Sequence, residues 1–207
     1  KLSESDRTKV IDAVISEFVD KREEIKKEPM KILPFMELLR NMGQYAVDTL
    51  LVKLESSDEE SVWGFALGIM AGDPNFLMVY PERIKGFIPK MLESKISENR
   101  IVATMVIETY KMEEYTQILI DRYTQEKEKE VIKEMALDLA KLKNEKALAV
   151  TLSNLRNEDA DIRHHACIGL AKTKDHSVPT AILIELAKTD NEKRVRSTAI
   201  EAIVMSK

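Results

Sequence analysis

The chain has 207 residues, of which 33% are charged and 5% aromatic, with six Gly, six Pro and a single Cys. Thirty-two basic against thirty-six acidic side chains leave a formal charge of −4, so no overall field draws in a polyanion and nucleic acid is disfavoured as a partner. A lone cysteine excludes an intramolecular disulfide, apolar runs such as 101–107 are far too short to span a bilayer, and the composition is that of a helical cytoplasmic protein without a membrane partner. The sequence begins at Lys1 rather than Met, which implies that something upstream has been removed.

At the N-terminus Val10, Ile11, Val14, Ile15 and Phe18 form an amphipathic stripe, started by a cap of the Ser3-Glu4-Ser5-Asp6 type. Lys21 to Glu28 mixes both charges densely and reads as solvated; Met30 to Met42 reads as a half-repeat with Pro34 in its first turn. Residues 1–42 are therefore expected to be a helical cap over one end of the remaining chain. From Gln44 the three-and-four spacing of Ala46, Val47, Leu50, Leu51 and Leu54 predicts one helix, and Val62, Phe65, Ala66, Ile69 and Met70 predict a second that ends at Gly72-Asp73-Pro74.

This helix-turn-helix pattern recurs to the end of the chain. First helices are predicted at 84–92, 115–123, 147–155 and 178–188, and second helices at 101–110, 131–142, 162–173 and 195–204. The stretch from Glu130 to Lys143 returns 31 residues later as Asp161 to Lys174. The branched anchors Val62, Ile101, Val131, Ile162 and Val195 are 39, 30, 31 and 33 residues apart, with an insertion expected around Asn75 to Pro81. Repetition on this scale signals stacked helix pairs. Asp161-Ile162-Arg163-x-x-Ala166 and Arg194-Val195-Arg196-x-x-Ala199 resemble the pattern of HEAT-like repeats of the phycobilisome-lyase type. Asp58 to Ala66 matches except for Trp63 at the Arg position, Val131 has Ile132 and Met135, and Ile101 has Val102 and Met105. The resemblance covers residues 43–207 and implies an all-α, right-handed α-α superhelix of about five helix pairs, a HEAT-like solenoid. The small Ala of the pattern lets helices approach closely.

The resemblance also implies that second helices line a concave face. Carried over position by position, its outward residues include Phe65 on the first second helix, Arg100 and Thr104 on the next, Lys133 and Glu134 on the third, His164 and His165 on the fourth, and Arg194, Ser197 and Thr198 on the last. Trp63 and Phe65 are either aromatic anchors for a partner or fillers of the junction with the cap. His164, His165 and Cys167 are the residues nearest to a metal set, but adjacent helical residues diverge by about 100 degrees, and an ordinary histidine pair is the expectation; His176 falls in a turn. Arg163 and Arg196 are expected to form an internal ladder to acidic residues such as Asp159 and Asp190.

No catalytic constellation emerges. Iron-binding HEAT enzymes use His-Glu dipeptides, and none of the three histidines precedes Glu; phycobilin-lyase chemistry finds no residue here. The function expected is therefore a non-catalytic scaffold, without cofactor or metal, that holds a protein or peptide on the concave surface and has the option of self-association through the last unit. The alternative is a helical-repeat DNA-binding protein or alkylation-repair-like glycosylase using Lys129, Lys133, Lys193 and Arg194 with Trp63, opposed by the acidic neighbours Glu130, Glu134 and Asp161.

Overall fold

Ser3 begins the first helix as its sequence requires. Its Oγ accepts the Asp6 amide at 3.2 Å, and α1 (Glu4–Asp20) continues from it with Ile11, Val14 and Ile15 buried. The computed structural model describes residues 3–72, 81–142, 144–173 and 179–205, and every regular element among them is helical. The expected insertion at 75–80, the Asp73-Pro74 stop and His176 lie outside the described residues. The chain divides into two compact units, Lys1–Val106 and Ile107–Lys207.

In the first unit α2 (Arg22–Lys27) and a 3₁₀ turn (Pro29–Ile32) lead into α3 (Leu33–Met42), whose Pro34 sits in the first turn. Gly43 then adopts φ +57°, a left-handed conformation that favours glycine, and the chain reverses into α4 (Gln44–Ser56) and α5 (Glu60–Gly72). Helix α1 packs on α4 and α5. It is held there by the Tyr45 hydroxyl donating to the Glu4 carbonyl at 2.8 Å and by Phe18 against Phe65, with ring centroids 4.4 Å apart. The single helix predicted at 84–92 is instead broken into α6 (Pro81–Ile84), a 3₁₀ turn (Lys85–Phe87) and α7 (Ile88–Leu92). Pro89 explains the break: it has no amide to donate to the Lys85 carbonyl, and its ring crowds that group. Helix α8 (Ser97–Thr109) spans the division between the units.

In the second unit the pairs are α9 (Thr116–Gln125) with α10 (Lys129–Lys141), α11 (Glu145–Asn154) with α12 (Ala160–Thr173), and α13 (Thr180–Thr189) with α14 (Lys193–Met205). Helix α12 packs against both α10 and α14. The core between them is built largely from small side chains, with Ala140, Ala166, Cys167, Ala171, Ala199 and Ala202 buried beside Leu155, Leu170, Leu183 and Val195. A Cβ placed on Gly169 would lie 2.4 Å from the Leu137 carbonyl oxygen and 2.6 Å from the Ala140 Cβ, so α12 reaches α10 in backbone contact. Gly169→Ala should lower the urea midpoint of this unit. The overpacking cost of about 1–3 kcal/mol outweighs the gain of about 1 kcal/mol in helix propensity, and a raised midpoint would contradict the close approach.

The repeats are punctuated by a recurring polar turn. Ser57 Oγ accepts the amide of Glu59, Ser94 Oγ that of Ile96, Glu126 Oε1 that of Glu128, Asn157 Oδ1 that of Asp159 and Asp190 Oδ1 that of Glu192. Each bond stops the chain from continuing as helix and turns it into the next one. Six residues after four of these turns a side chain donates back to the turn carbonyl: Trp63 Nε1 to Ser57 at 2.8 Å, Arg100 Nη1 to Ser94 at 2.8 Å, Arg163 Nη1 to Asn157 at 2.8 Å and Arg196 Nη1 to Asp190 at 2.7 Å. Ile132, at the same place in α10, has no donor. Trp63 therefore performs the local role of the Arg it replaces.

This bond corrects one register. Arg100, not Val102, is the repeat's Arg, so Asn99 rather than Ile101 aligns with Val62, Val131, Ile162 and Val195, and Ala103 rather than Met105 is the small buried residue. The sequence misled by two positions because Ile101 and Val102 offer the branched residues an anchor requires, whereas Asn99 is polar. Its amide is nonetheless satisfied inside the core, donating to the Glu60 carbonyl at 2.7 Å.

Candidate functional site

The register correction decides which proposed contact residues reach solvent. Arg100 and Thr104, expected on the outward face, are 4% and 0% exposed. With Asn99 as anchor, the outward positions of α8 become Glu98, Ile101, Val102 and Met105, all half-exposed. Phe65 is also corrected: it is 2% exposed, because Phe18 of α1 lies against it. The N-terminal segment thus covers part of the face that α5 would otherwise present. Trp63 is half-buried, tied to its own turn and 6.3 Å from the Phe87 ring, with the Lys90 ammonium 5.9 Å from its ring. Between α1 and the outward positions of α5 and α8 lies a cavity of about 190 Å³, lined by Phe18, Ile32, Phe65, Ile69, Ile96 and Val102 among others.

In the second unit the expected residues do come to one surface. Lys133, Glu134, His164, His165 and Thr198 are half-exposed, and Arg194 and Ser197 are exposed; they lie on the second helices α10, α12 and α14, which pack side by side in that order. Three cations on this surface face carboxylates. Lys129 Nζ is 2.9 Å from Asp159 and 3.0 Å from Asp161, Arg194 Nη1 is 2.5 Å from Asp161, and Lys133 is 2.6 Å from Glu130. Hydrogen bonding from Lys129, aided by Arg194, holds the Asp161 carboxyl below the usual range. The ladder expected of Arg163 is present: Nε and Nη2 donate to the two carboxylate oxygens of Asp190 at 2.7 and 2.9 Å. Arg196 makes no such bridge among the described residues and binds the carbonyls of Asp190 and Asn191. Asp159 pairs with Lys129 rather than with an Arg.

The two histidines sit edge to face, ring centroids 5.5 Å apart, and are fixed by different partners. His165 Nδ1 lies 2.7 Å from the Asp161 carbonyl oxygen, so it carries the proton and donates. His164 Nδ1 lies 3.2 Å from Thr198 Oγ1, whose own proton is directed at the carbonyl of Arg194 or Val195; His164 is therefore also the donor. In the neutral rings Nε2 is then an acceptor on both. Burial, with help from His165 and Arg194, pushes the His164 pKa below its ordinary 6.5. A histidine with a depressed folded pKa stabilises the fold above the unfolded pKa, and the contribution is lost as pH falls from about 6.5 toward the folded value. Histidine NMR titration should show His164 neutral at pH 7 with a midpoint below about 6.5; a midpoint above it would contradict this environment.

Cys167 is fully buried, and burial pushes its thiol up to about 12, which makes it a core residue rather than a nucleophile. Among the described residues no group of three His, Cys, Asp or Glu side chains is placed to hold a metal ion.

Known proteins resemble the chain in two respects. Residues 116–204 match the family model described as HEAT repeats. The chain is similar in structure to a designed armadillo repeat protein in complex with the peptide (KR)4, at a TM-score of 0.56 and 15% identity, over 94% of this chain and 98% of that one. No curated protein matches. Residues 116–204 are thus similar to HEAT repeats, and the chain has an all-α helical-repeat fold.

Proposed function

We propose that this chain is a non-catalytic scaffold that holds a protein or peptide segment on the face formed by α10, α12 and α14. The observation that carries the reading is the convergence of Lys133, Glu134, His164, His165, Arg194, Ser197 and Thr198 on three adjacent second helices. Paired charges and two fixed imidazole acceptors give this face directional hydrogen-bonding groups of both kinds. The peptide bound by the designed armadillo relative is consistent with a helical-repeat surface used in this way. Carbonyl and amide groups of an extended segment suit such a surface, and the half-exposed Leu137 and Ile168 supply apolar contact between the polar groups.

A nucleic-acid reading is weakened by the same geometry. Lys129, Lys133 and Arg194, which it needs for phosphates, already face carboxylates, and Trp63 is occupied with its own turn. The discriminating experiment is to pan a displayed peptide library on the intact chain and retest the selected peptides. Ser197→Arg, an exposed change in the middle of α14, should weaken them at least about tenfold, equivalent to about 1.4 kcal/mol, with an unchanged melting curve. Peptides that bind this variant as well as the native chain would sink the proposal, and duplex DNA binding with a steep salt dependence would replace it with the alternative.

A further inference from the structure

The first unit holds a cavity that helix packing alone does not demand. Two and six residues beyond the anchor, where α10 carries Lys133 and Leu137 and α12 carries His164 and Ile168, α5 carries Gly64 and Gly68. A Cβ on Gly64 would collide with the Asn99 amide oxygen, so that glycine follows from Asn99 entering the core. Gly68 has no such cause. A Cβ there would stand 3.5 Å from Val102 Cγ2, an ordinary van der Waals contact, and glycine inside a helix is destabilising relative to alanine. Gly68 instead lines the cavity of about 190 Å³ together with Phe18, Phe65, Ile69 and Val102. An apolar cavity of about 150 Å³ admits benzene, so this one has room for a single ring or a branched aliphatic group.

The charged part of the lining decides what that group is attached to. Arg22 and Glu98 also line the cavity, and both are half-exposed, so they stand where it meets solvent. Arg22 pairs with its exposed neighbour Glu23 at 3.2 Å, a surface pair that a ligand carboxylate displaces at little cost. Glu98 Oε2 accepts the Ser97 hydroxyl at 3.2 Å, and a carboxylate can accept further bonds. The uncharged polar side chains of the lining are committed within the fold: Asn99 donates to the Glu60 carbonyl and Ser61 to the Glu59 carboxylate. One cation and one anion thus stand beside an apolar recess sized for one side chain.

We propose that this cavity binds a free apolar α-amino acid about the size of leucine or phenylalanine, with its side chain between Phe18 and Gly68, its carboxylate on Arg22 and its ammonium on Glu98. A neutral hydrocarbon would leave both charges unused, and a residue inside a peptide carries neither charged end. No residue of this site belongs to α10, α12 or α14, so the site stands apart from the peptide-binding face.

Isothermal titration of the intact chain with L-leucine and L-phenylalanine should give saturable one-site binding to at least one of them. The N-acetyl derivative of that amino acid, which lacks the ammonium, and its amide, which lacks the carboxylate, should each bind at least about tenfold more weakly, equivalent to about 1.4 kcal/mol. Gly68→Leu should abolish binding by filling the cavity. Arg22→Gln, a half-exposed change, should keep the native melting curve, weaken the amino acid at least about tenfold and leave its amide unaffected, a pattern that a loosened fold does not produce. Failure of both amino acids to bind overturns the proposal, as does binding that survives either substitution. So does toluene bound as tightly as L-phenylalanine, which would reduce the cavity to a void between α1 and its neighbours.

Discussion

Ala166→Arg should abolish the cooperative unfolding of residues 107–207. Ala166 is fully buried within the small-residue core, on a helix that packs against α10 on one side and α14 on the other. An arginine side chain has no volume to occupy there, and its charge would enter a cluster of apolar residues. Overpacking together with a buried cation exceeds the roughly 4–5 kcal/mol that marks an exceptional substitution, which approaches the whole stability of a domain of this size. Circular dichroism during a urea titration is the measurement. The control is Ser197→Arg, which introduces the same side chain on the same group of helices at an exposed position and should leave the transition within about 0.5 kcal/mol of native. A native-like transition in Ala166→Arg would mean that α12 does not lie between its neighbours.

Asp190→Ala is expected to cost about 3–5 kcal/mol, the range for removing one partner of a buried ion pair. Asp190 receives two guanidinium bonds from Arg163 and one backbone amide bond from Glu192, with both side chains of the pair largely shielded from water. Its loss leaves a guanidinium with unmet donors and frees the turn that starts α14. The pair also sets a pH signature. Hydrogen bonding from Arg163 holds the Asp190 carboxyl below 3.8. The stabilisation is therefore fully present above the unfolded pKa near about 3.9 and is lost as pH falls through the lower folded value. Native protein should lose stability in that acid window more steeply than Asp190→Asn, which cannot titrate. Equal acid slopes for the two proteins would show that the bridge does not couple adjacent repeats.

The helical elements were legible because their apolar spacing is regular and their turns are polar. Where the pattern was strongest, at Asp161 to Ala166, Arg163 makes the expected bridge to Asp190, whereas Arg196, at the same place in the last repeat, binds the carbonyls of its own turn instead. The misplacement in α8 has a specific cause: a branched apolar residue marks the anchor in every other repeat, whereas the fold places polar Asn99 there and satisfies its amide on the Glu60 carbonyl. The signal that finds the right register is the turn residue Ser94 with a donor six positions later, a spacing repeated by Ser57 with Trp63, Asn157 with Arg163 and Asp190 with Arg196. Burial of Phe65 was not legible, because it depends on where α1 docks, and the stripe of α1 states that it must be covered without stating by what. The break at Pro89 was available from the sequence, since proline inside a predicted helix removes an amide the helix needs.

The exposed residues of the second unit and the buried ones of the first share one repeat pattern, so the pattern alone cannot assign a binding face. The separation comes from packing: α10, α12 and α14 keep their outward residues half-exposed or exposed, while Phe18 lies on Phe65 in α5. That difference supports the proposal that the second unit carries the partner-binding face.

The most direct test of that assignment is an NMR chemical-shift map of the intact chain titrated with a peptide selected on it. Perturbations are expected to concentrate at Lys133, Glu134, His164, His165, Arg194, Ser197 and Thr198. Perturbations confined to the first helices α11 and α13, or to the first unit, would contradict the assignment.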